Sequence, residues 1–257
     1  LNIDPKNIEN KITKKTKAIM PVHLTGRVAK MNEILEIAKK NKIEIIEDAA
    51  QSIGSKYYDK MSGSFGKVSC FSAHPLKNLN AIGDSGYLIT NDKSIFLKSK
   101  LLINHGIENN SKVNHFGFVS RMDSFQALIL NYQLKKLKKT ISVRRKNAKI
   151  YNLELANFVQ VPEEKSYEYN TYHTYIIKTD KRNLLRKHLL EDGIETKIHY
   201  PIPIHLQKAA KKFNYKKGSL PNTEKSSRQI LTLPINQHLN ENDLSRIINS
   251  IKKFFHG

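Results

Sequence analysis

Strand and helix patterns alternate through the first half of the chain, and this alternation constrains the fold more than any other feature. Ala18–His23 and Ile43–Ile46 are short apolar stretches that predict buried strands. Ala29–Asn41, between them, has its apolar residues at helical spacing. Val68–Phe71 and Tyr87–Thr90 predict two more strands. This order predicts an α/β domain with a largely parallel sheet.

The second half of the chain has a mainly helical pattern at first and a mixed pattern afterwards. An apolar face runs from Arg121 to about Asn157, and we predict that a second helix covers Ser142–Asn157 within this stretch. The later patterns predict a strand at Tyr172–Lys178, a helix at Arg182–Glu191, a strand at Ile194–His199 and a helix at Glu241–Phe255. We therefore expect two domains: an α/β domain in residues 1–139, and a small α+β domain in residues 140–257 that includes a bridging helix.

Charge and composition limit the possible partners. The chain has 44 Lys and Arg against 23 Asp and Glu, so nucleic-acid binding must be weighed. The lysines lie in scattered pairs on predicted helix faces, without a basic arm, which favours an ordinary lysine-rich surface that attracts anionic substrates. Cys70 is the one cysteine, which excludes a disulfide within the chain and suits the cytoplasm. No apolar run reaches the ~18–20 residues of a membrane span. We expect neither nucleic acid nor membrane as a partner.

Three segments have the residue types that pyridoxal phosphate (PLP) chemistry needs: Glu47–Gln51, Phe71–Asn78 and Gly83–Gly86. Asp48 and Ser72 fall at predicted strand ends, where α/β sheets bind ligands. A lysine amine such as Lys77 can form a Schiff base, a carboxylate can hold the pyridine nitrogen protonated, and a hydroxyl can bind the phosphate. Each residue alone also has an ordinary interpretation, as a solvated lysine, a helix cap or a structural loop residue.

The joint pattern is more specific than its parts. It resembles the DegT/DnrJ/EryC1 family of PLP-dependent sugar aminotransferases. The segments that resemble the family's motifs are Pro21–Gly26 (PVHLTG), Glu47–Gln51 (EDAAQ), Phe71–Leu79 (FSAHPLKNL), Gly83–Gly86 (GDSG), Ser120–Ala127 (SRMDSFQA), Arg144–Tyr151 (RRKNAKIY), Ile198–Gln207 (IHYPIPIHLQ), Pro221–Glu224 (PNTE) and Leu231–Pro234 (LTLP).

This resemblance implies a fold-type-I, aspartate aminotransferase-like fold, with PLP bound by residues 1–139 and active sites at the interface of a homodimer. Lys77 would carry the cofactor and move the proton, and Asp48 would pair with the pyridine nitrogen. Gln51 would contact the ring hydroxyl and Ser72 the phosphate. No metal is implied. We hypothesise further that three side chains line the substrate side of the site: His74, His199 and Tyr200.

The resemblance also implies the reaction. An amino donor, usually glutamate, would load the cofactor, and a keto-sugar nucleotide would receive the amine, for a surface polysaccharide or lipopolysaccharide. Lys77 argues against related dehydratases, which carry histidine at this position. The Gly83–Gly86 segment is more typical of the branch that acts on 3-keto sugars. Two alternatives stay open: an inactive remnant or interaction subunit of such an enzyme, and a basic nucleic-acid binder.

Two features depart from the family's pattern. By this resemblance the chain starts about a hundred residues late, which would leave the large domain incomplete and expose an apolar sheet edge. The family's glycine-rich phosphate loop is not found, because Gly54, Gly63 and Gly66 are interpreted as a surface turn. We therefore expect this chain alone to bind PLP poorly or to fold incompletely. Val119 stands where the family has an asparagine that binds phosphate, and it receives no role.

Overall fold

A computed structural model describes residues 1–109 and 112–257. These residues form two compact units, and each is described by itself. The N-terminal unit is Asn2–Ile141 with Ser166–Thr171, and the C-terminal unit is Leu1 with Ser142–Lys165 and Tyr172–Gly257. The functional division into domains at residues 139 and 140 stays a prediction. No helix in the described ranges is long and apolar enough to cross a membrane.

The secondary structure alternates strands and helices along most of the chain. In chain order the elements are β1 (Ala18–Ile19), α1 (Met31–Asn41), β2 (Glu44–Asp48), β3 (Lys56–Tyr57), β4 (Lys60–Met61), β5 (Val68–Ser72), β6 (Gly86–Ile89), α2 (Lys93–Leu102), β7 (Ile107–Glu108), β8 (Lys112–Val113), α3 (Ser124–Leu155), β9 (Glu168–Tyr169), β10 (Tyr175–Lys178), α4 (Arg182–Glu191), α5 (Pro221–Gln229), β11 (Ile230–Leu233) and α6 (Glu241–His256).

The N-terminal unit is built on a mixed sheet with the strand order β1-β2-β5-β6. β1, β2 and β5 are parallel neighbours, and β6 runs antiparallel to β5. Met31, Ile34 and Ala38 share one face of α1 at helical spacing, and they are buried in one core cluster with Ile19 and Ile45 of the sheet. The predicted α/β class with a mostly parallel sheet is confirmed.

The first predicted strand is shorter than expected. β1 ends at Ile19, although Val22 still forms an isolated parallel bridge with Asp48. Pro21 lies between them and has no N–H to donate, so a continuous ladder through this position is not possible. The carbonyl of Pro21 still accepts the backbone N–H of Asp48 at 3.0 Å. The prediction of a strand here was therefore right, but the strand is shorter than predicted. It lies parallel to β2, as expected for the predicted sheet.

α3 is one helix of 32 residues, so the predicted second helix that starts at Ser142 is wrong. No glycine or proline lies between Ser124 and Leu155, and without such a breaker the helical hydrogen-bond ladder continues. In the C-terminal unit Tyr151 and Leu155 of α3 are fully buried in the core. α2 was missed, although Asp92 caps it by accepting the backbone N–H groups of Ser94 and Ile95, a recognisable sequence signal.

The C-terminal unit contains a two-stranded antiparallel sheet of β10 and β11. The predicted strand at Ile194–His199 is wrong, because only Lys197 in this segment pairs, in an isolated bridge with Thr232. Its alternating burial imitates a strand, but it meets the buried β11 only at this one bridge, while β11 forms its full ladder with β10. α4 has the predicted bounds, and it packs with α6 over one core cluster of leucine and isoleucine side chains. The expected small α+β arrangement is confirmed.

Candidate functional site

Two neighbouring parallel strands of the N-terminal unit, β2 and β5, end in polar residues. We call the side of the sheet where the carboxyl ends of these two strands lie the sheet edge. β2 ends at Asp48 and β5 ends at Ser72, as predicted. Asp48 lies opposite Cys70 in the register, so the side chains of Asp48, Cys70 and Ser72 share one face. The Oδ1 atom of Asp48 accepts the backbone N–H of Ala50 at 3.1 Å. This edge places a carboxylate, a thiol and a hydroxyl close together.

Lys77 lies in the loop that follows β5. The backbone N–H of Ala81 donates to the carbonyl of Ala73 at 2.9 Å, which closes the loop, and the N–H of Lys77 donates to the carbonyl of His74 at 2.8 Å. Burial lowers the pKa of the Lys77 amine, and the negative charge of Asp48 offsets part of this effect. Asp48 therefore lies within electrostatic reach of Lys77. A lowered pKa increases the fraction of neutral, nucleophilic amine.

Glycines and a glutamine shape the surroundings of this loop. Gly86 pairs with Ser72, and a Cβ atom at Gly86 would lie 2.8 Å from the carbonyl oxygen of Phe71. The Oε1 atom of Gln126 accepts the backbone N–H of Ile82 at 3.0 Å. The glycine segment and the glutamine of the SRMDSFQA motif therefore support the position of the Lys77 loop.

Gln51 has a defined orientation. Its Oε1 atom accepts the backbone N–H of Thr25 at 2.8 Å, so its Nε2 group is the part that can donate to a ligand. Thr25 has a φ of 66°, in the left-handed region, so the turn that contains this N–H has an unusual backbone conformation. The PVHLTG motif thus orients a residue that we predicted to bind the cofactor.

Glu47 is a residue whose importance the sequence did not reveal. Its side chain is fully buried on the sheet face opposite Asp48. Its carboxylate accepts hydrogen bonds from Nε2 of His23 at 2.9 Å, from the backbone N–H groups of Gly63 at 2.7 Å, Phe65 at 2.7 Å and Gly66 at 2.6 Å, and from the Ser69 hydroxyl at 2.8 Å. Burial alone would raise the pKa of Glu47, but these hydrogen bonds outweigh it and lower the pKa to about 2.

The interpretation of Gly63 and Gly66 as parts of a surface turn was therefore wrong. Gly63 is buried, and both glycines donate to the carboxylate of Glu47. A Cβ atom at Gly66 would lie 2.8 Å from the carbonyl oxygen of Ile45, so this close approach requires glycine. No local pattern indicated this contact, because the two glycines lie 16 and 19 residues from Glu47 along the chain.

The residues proposed for the substrate side lie in different units. His74 is in the Lys77 loop, where its Nδ1 atom accepts the N–H of Leu76 at 3.2 Å and its Nε2 atom lies 3.8 Å from Oδ1 of Asp84. His199 and Tyr200 belong to the C-terminal unit. The Nδ1 atom of His199 bonds the Thr232 hydroxyl at 2.9 Å, and the side chain of Tyr200 is exposed. Their roles toward substrate stay predictions.

Comparison with known proteins decides the family. The model of the DegT/DnrJ/EryC1/StrS aminotransferase family matches residues 1–252. The chain belongs to this aminotransferase family. A transaminase of the family acts between an amino donor and a keto acceptor, and the residue types at the sheet edge suit that chemistry. The suspected resemblance is thereby confirmed.

The chain is also similar to curated relatives and to a solved structure, and one of these relatives is named as a transaminase. The chain is 40% identical over 258 residues to the pleiotropic regulatory protein of Geobacillus stearothermophilus, covering 99% of the chain and 69% of that protein. It is 34% identical to the dTDP-3-amino-3,4,6-trideoxy-alpha-D-glucose transaminase of Streptomyces venezuelae, covering 98% and 67% respectively. The crystal structure of S. venezuelae DesV in complex with a ketimine intermediate superposes with a TM-score of 0.96 at 34% identity, covering 100% and 70%.

The side chains of the sheet edge fit the cofactor of such an aminotransferase. PLP requires an amine, a carboxylate for its ring nitrogen, and donors for its ring oxygen and phosphate. Lys77 has an amine and Asp48 a carboxylate, and the charge of Asp48 acts on the pKa of Lys77. The donor set at this edge also includes Nε2 of Gln51 and the hydroxyl of Ser72.

Proposed function

We propose that the protein transfers an amino group from glutamate to the keto carbon of a nucleotide-linked sugar, with PLP held by Lys77 and Asp48. The observation that carries this proposal is the electrostatic coupling of Asp48 to a half-buried Lys77 whose pKa is lowered. Groups whose pKa is shifted by burial and by a charged neighbour, at the carboxyl ends of parallel strands, are candidates for catalysis. PLP is the cofactor of this aminotransferase family.

Each residue of the sheet edge receives one task in this proposal. PLP, when bound, withdraws electrons from the substrate carbon that bears the amine. The carboxylate of Asp48 holds a proton at the pyridine nitrogen, which strengthens that withdrawal. The amine of Lys77 binds the cofactor and then moves a proton as a general base and acid. Nε2 of Gln51 donates to the ring oxygen, and the hydroxyl of Ser72 donates to the phosphate.

We propose that the acceptor is a nucleotide-linked sugar with its keto group at carbon 3. The S. venezuelae relative is named for a 3-amino sugar linked to dTDP, and the Gly83–Gly86 segment is typical of the same branch. The net charge of +21 favours the approach of an anionic diphosphate. We assign the substrate side to His74, His199 and Tyr200. The product would be an amino-sugar nucleotide for a surface polysaccharide, made in the cytoplasm.

We also propose a homodimer. Several large apolar side chains of the N-terminal unit are exposed: Leu76 within the Lys77 loop at 75%, Ile82 just after it at 60%, Phe118 before α3 at 71% and Phe125 at the start of α3 at 59%. Exposed apolar patches of this kind often mark protein interfaces. Sedimentation equilibrium should give twice the monomer mass, and a monomer at micromolar concentration would contradict the proposal.

The test of the reaction is a transamination assay on the protein produced from its complete reading frame. A UDP- or dTDP-linked 3-keto sugar with glutamate should give the amino-sugar nucleotide and 2-oxoglutarate, and Lys77→Ala should abolish both products. Lys67→Ala is the matched control, because Lys67 is a lysine of the same unit that pairs with exposed Glu44. Turnover of a 4-keto acceptor alone would refute the choice of carbon 3. The absence of amine from every keto sugar would refute the reaction.

A further inference from the structure

We infer that His23 is a positioning residue for Asp48, and that it acts through Glu47 from the opposite face of the sheet. The inference rests on the proposed role of Asp48 in binding the cofactor. It gives a function to two parts of the sequence that the proposed reaction leaves without one: the histidine of the PVHLTG motif and the first residue of the EDAAQ motif.

Glu47 and Asp48 are neighbours in β2, so their side chains point to opposite faces of the sheet. His23 contacts both residues. Its Nε2 atom bonds the carboxylate of Glu47 at 2.9 Å, and its backbone N–H donates to the carbonyl of Asp48 at 3.0 Å. One residue therefore holds the main chain of Asp48 and the side chain that precedes it.

The hydrogen bonds also define the tautomer of His23. The backbone N–H of Ala29 donates to Nδ1 at 3.1 Å, so Nδ1 carries no proton. The proton of the imidazole is therefore on Nε2, which donates to Glu47. This arrangement leaves the imidazole neutral and directs its one N–H at the carboxylate.

The remaining donors to Glu47 come from a different part of the chain. The N–H groups of Gly63, Phe65 and Gly66 and the hydroxyl of Ser69 belong to the loop before β5 and to β5 itself. His23 is the donor from the segment beside β1. Without its imidazole the carboxylate would be held from one side only. Only the backbone hydrogen bonds between Asp48 and the Pro21–His23 segment would then hold the end of β2 on this side, and we expect this weaker hold to displace the Asp48 carboxylate.

Stability alone is a poor reason for this arrangement. A buried ionic group is expensive to desolvate, and a well-packed apolar pair of similar volume is often as stable or more stable. Glu47 is fully buried, so its carboxylate stays charged only because its five hydrogen bonds offset the cost of desolvation. A carboxylate with many donors does, however, define a strand end in three dimensions more sharply than apolar packing does. Asp48 is the next residue of β2, so a well-defined strand end also fixes the position of the Asp48 carboxylate.

The test compares PLP binding by variants of the protein produced from its complete reading frame. His23→Phe keeps a ring but removes both side-chain hydrogen bonds, and we expect the Kd for PLP to rise by about tenfold or more, as is common for outer partners of a binding group. The absorbance of bound PLP changes with pH, and the midpoint of this change should also shift. The reason is that the displaced carboxylate of Asp48 no longer holds the ring nitrogen in the same way. His23→Gln can still donate to Glu47 and should recover most of the affinity.

His205→Phe is the matched control. His205 is also buried, and its Nε2 atom bonds the carboxylate of Glu224 at 3.1 Å in the C-terminal unit. This variant should lose thermal stability to a similar extent but keep the wild-type Kd and absorbance midpoint. A purely structural role for His23 predicts that the two variants behave alike, and equal effects on the Kd would overturn the inference.

Other outcomes are also decisive. A folded His23→Phe protein with a Kd within about twofold of wild type would overturn the inference, and so would a His23→Gln protein as weak as His23→Phe. If His23→Phe does not fold, Ser69→Ala replaces it, because it removes one hydroxyl donor to the same carboxylate. We then expect a Kd about threefold higher, and an unchanged Kd refutes the inference. Failure of the proposed function would look different from failure of this inference. If the proposed function is wrong, the wild-type protein itself binds no PLP at Lys77.

Discussion

Replacement of Glu47 by glutamine should destabilise the protein strongly, although the two side chains have nearly the same shape. Oε1 of Glu47 accepts from Phe65, Gly66 and Ser69, and Oε2 accepts from Gly63 and His23. A glutamine has one oxygen and one NH₂ group. Whichever way the amide is turned, its NH₂ faces at least two N–H or O–H donors that then lack an acceptor.

Two independent estimates agree on the magnitude. A pKa lowered from the ordinary 4.5 to about 2 corresponds to about 3 kcal/mol of stability at neutral pH. Two buried donors left without an acceptor cost about 1–3 kcal/mol each. We therefore expect Glu47→Gln to lower the free energy of unfolding by about 3–5 kcal/mol at pH 7. The wild-type contribution is fully present above pH 4.5, and it is lost as the pH falls toward 2.

Urea unfolding followed by circular dichroism measures this difference. Glu44→Gln is the matched control, because Glu44 lies on the same strand, is exposed and pairs with Lys67 at 2.9 Å. A surface pair of this kind is worth at most about 1 kcal/mol. The stability gap between wild type and Glu47→Gln should also narrow between pH 4.5 and 2. A loss below about 1 kcal/mol for Glu47→Gln, equal to the control, would refute the reasoning.

Three further predictions concern the sheet edge. Asp48→Asn should lower kcat by about 100-fold or more while leaving the melting temperature nearly unchanged, and unaltered turnover would contradict the role of Asp48. Gly86→Ala places a Cβ atom 2.8 Å from the carbonyl oxygen of Phe71, so it should lower the free energy of unfolding in urea by about 1–3 kcal/mol. It should also weaken PLP binding, because Gly86 pairs with Ser72. An unchanged free energy of unfolding would refute the close contact. Cys70 is exposed on the face that bears Asp48, so PLP should slow its alkylation by a maleimide, and an unchanged rate would place the cofactor elsewhere.

The sequence predicted the part of the site that depends on local pattern. The short apolar runs Ile43–Ile46 and Val68–Phe71 placed Asp48 and Ser72 at the ends of predicted strands, and β2 and β5 do end at these two residues. The α/β class also followed from this alternation. The parts that failed depend on contacts between distant segments. Ile194–His199 has a strand-like alternation, but it pairs with β11 only through the isolated bridge between Lys197 and Thr232.

The environment of Glu47 could not be predicted for the same reason. Its donors lie 16 to 24 residues away along the chain, on both sides of it. An acidic pair at a strand end more often forms a cap or a surface turn, and no local pattern separates that case from a buried carboxylate. The pairing of His205 with Glu224 is similar, because two motifs that looked unrelated in the sequence meet in one hydrogen bond.

The most direct test of the whole account is to find the residue that holds the cofactor. PLP would be added to the folded protein, followed by reduction with borohydride and peptide mapping by mass spectrometry. The account predicts a pyridoxyl label on Lys77 and on no other lysine, and Asp48→Asn should weaken the labelling. Folded protein that carries no label at Lys77, or that is labelled equally at exposed lysines, would contradict it.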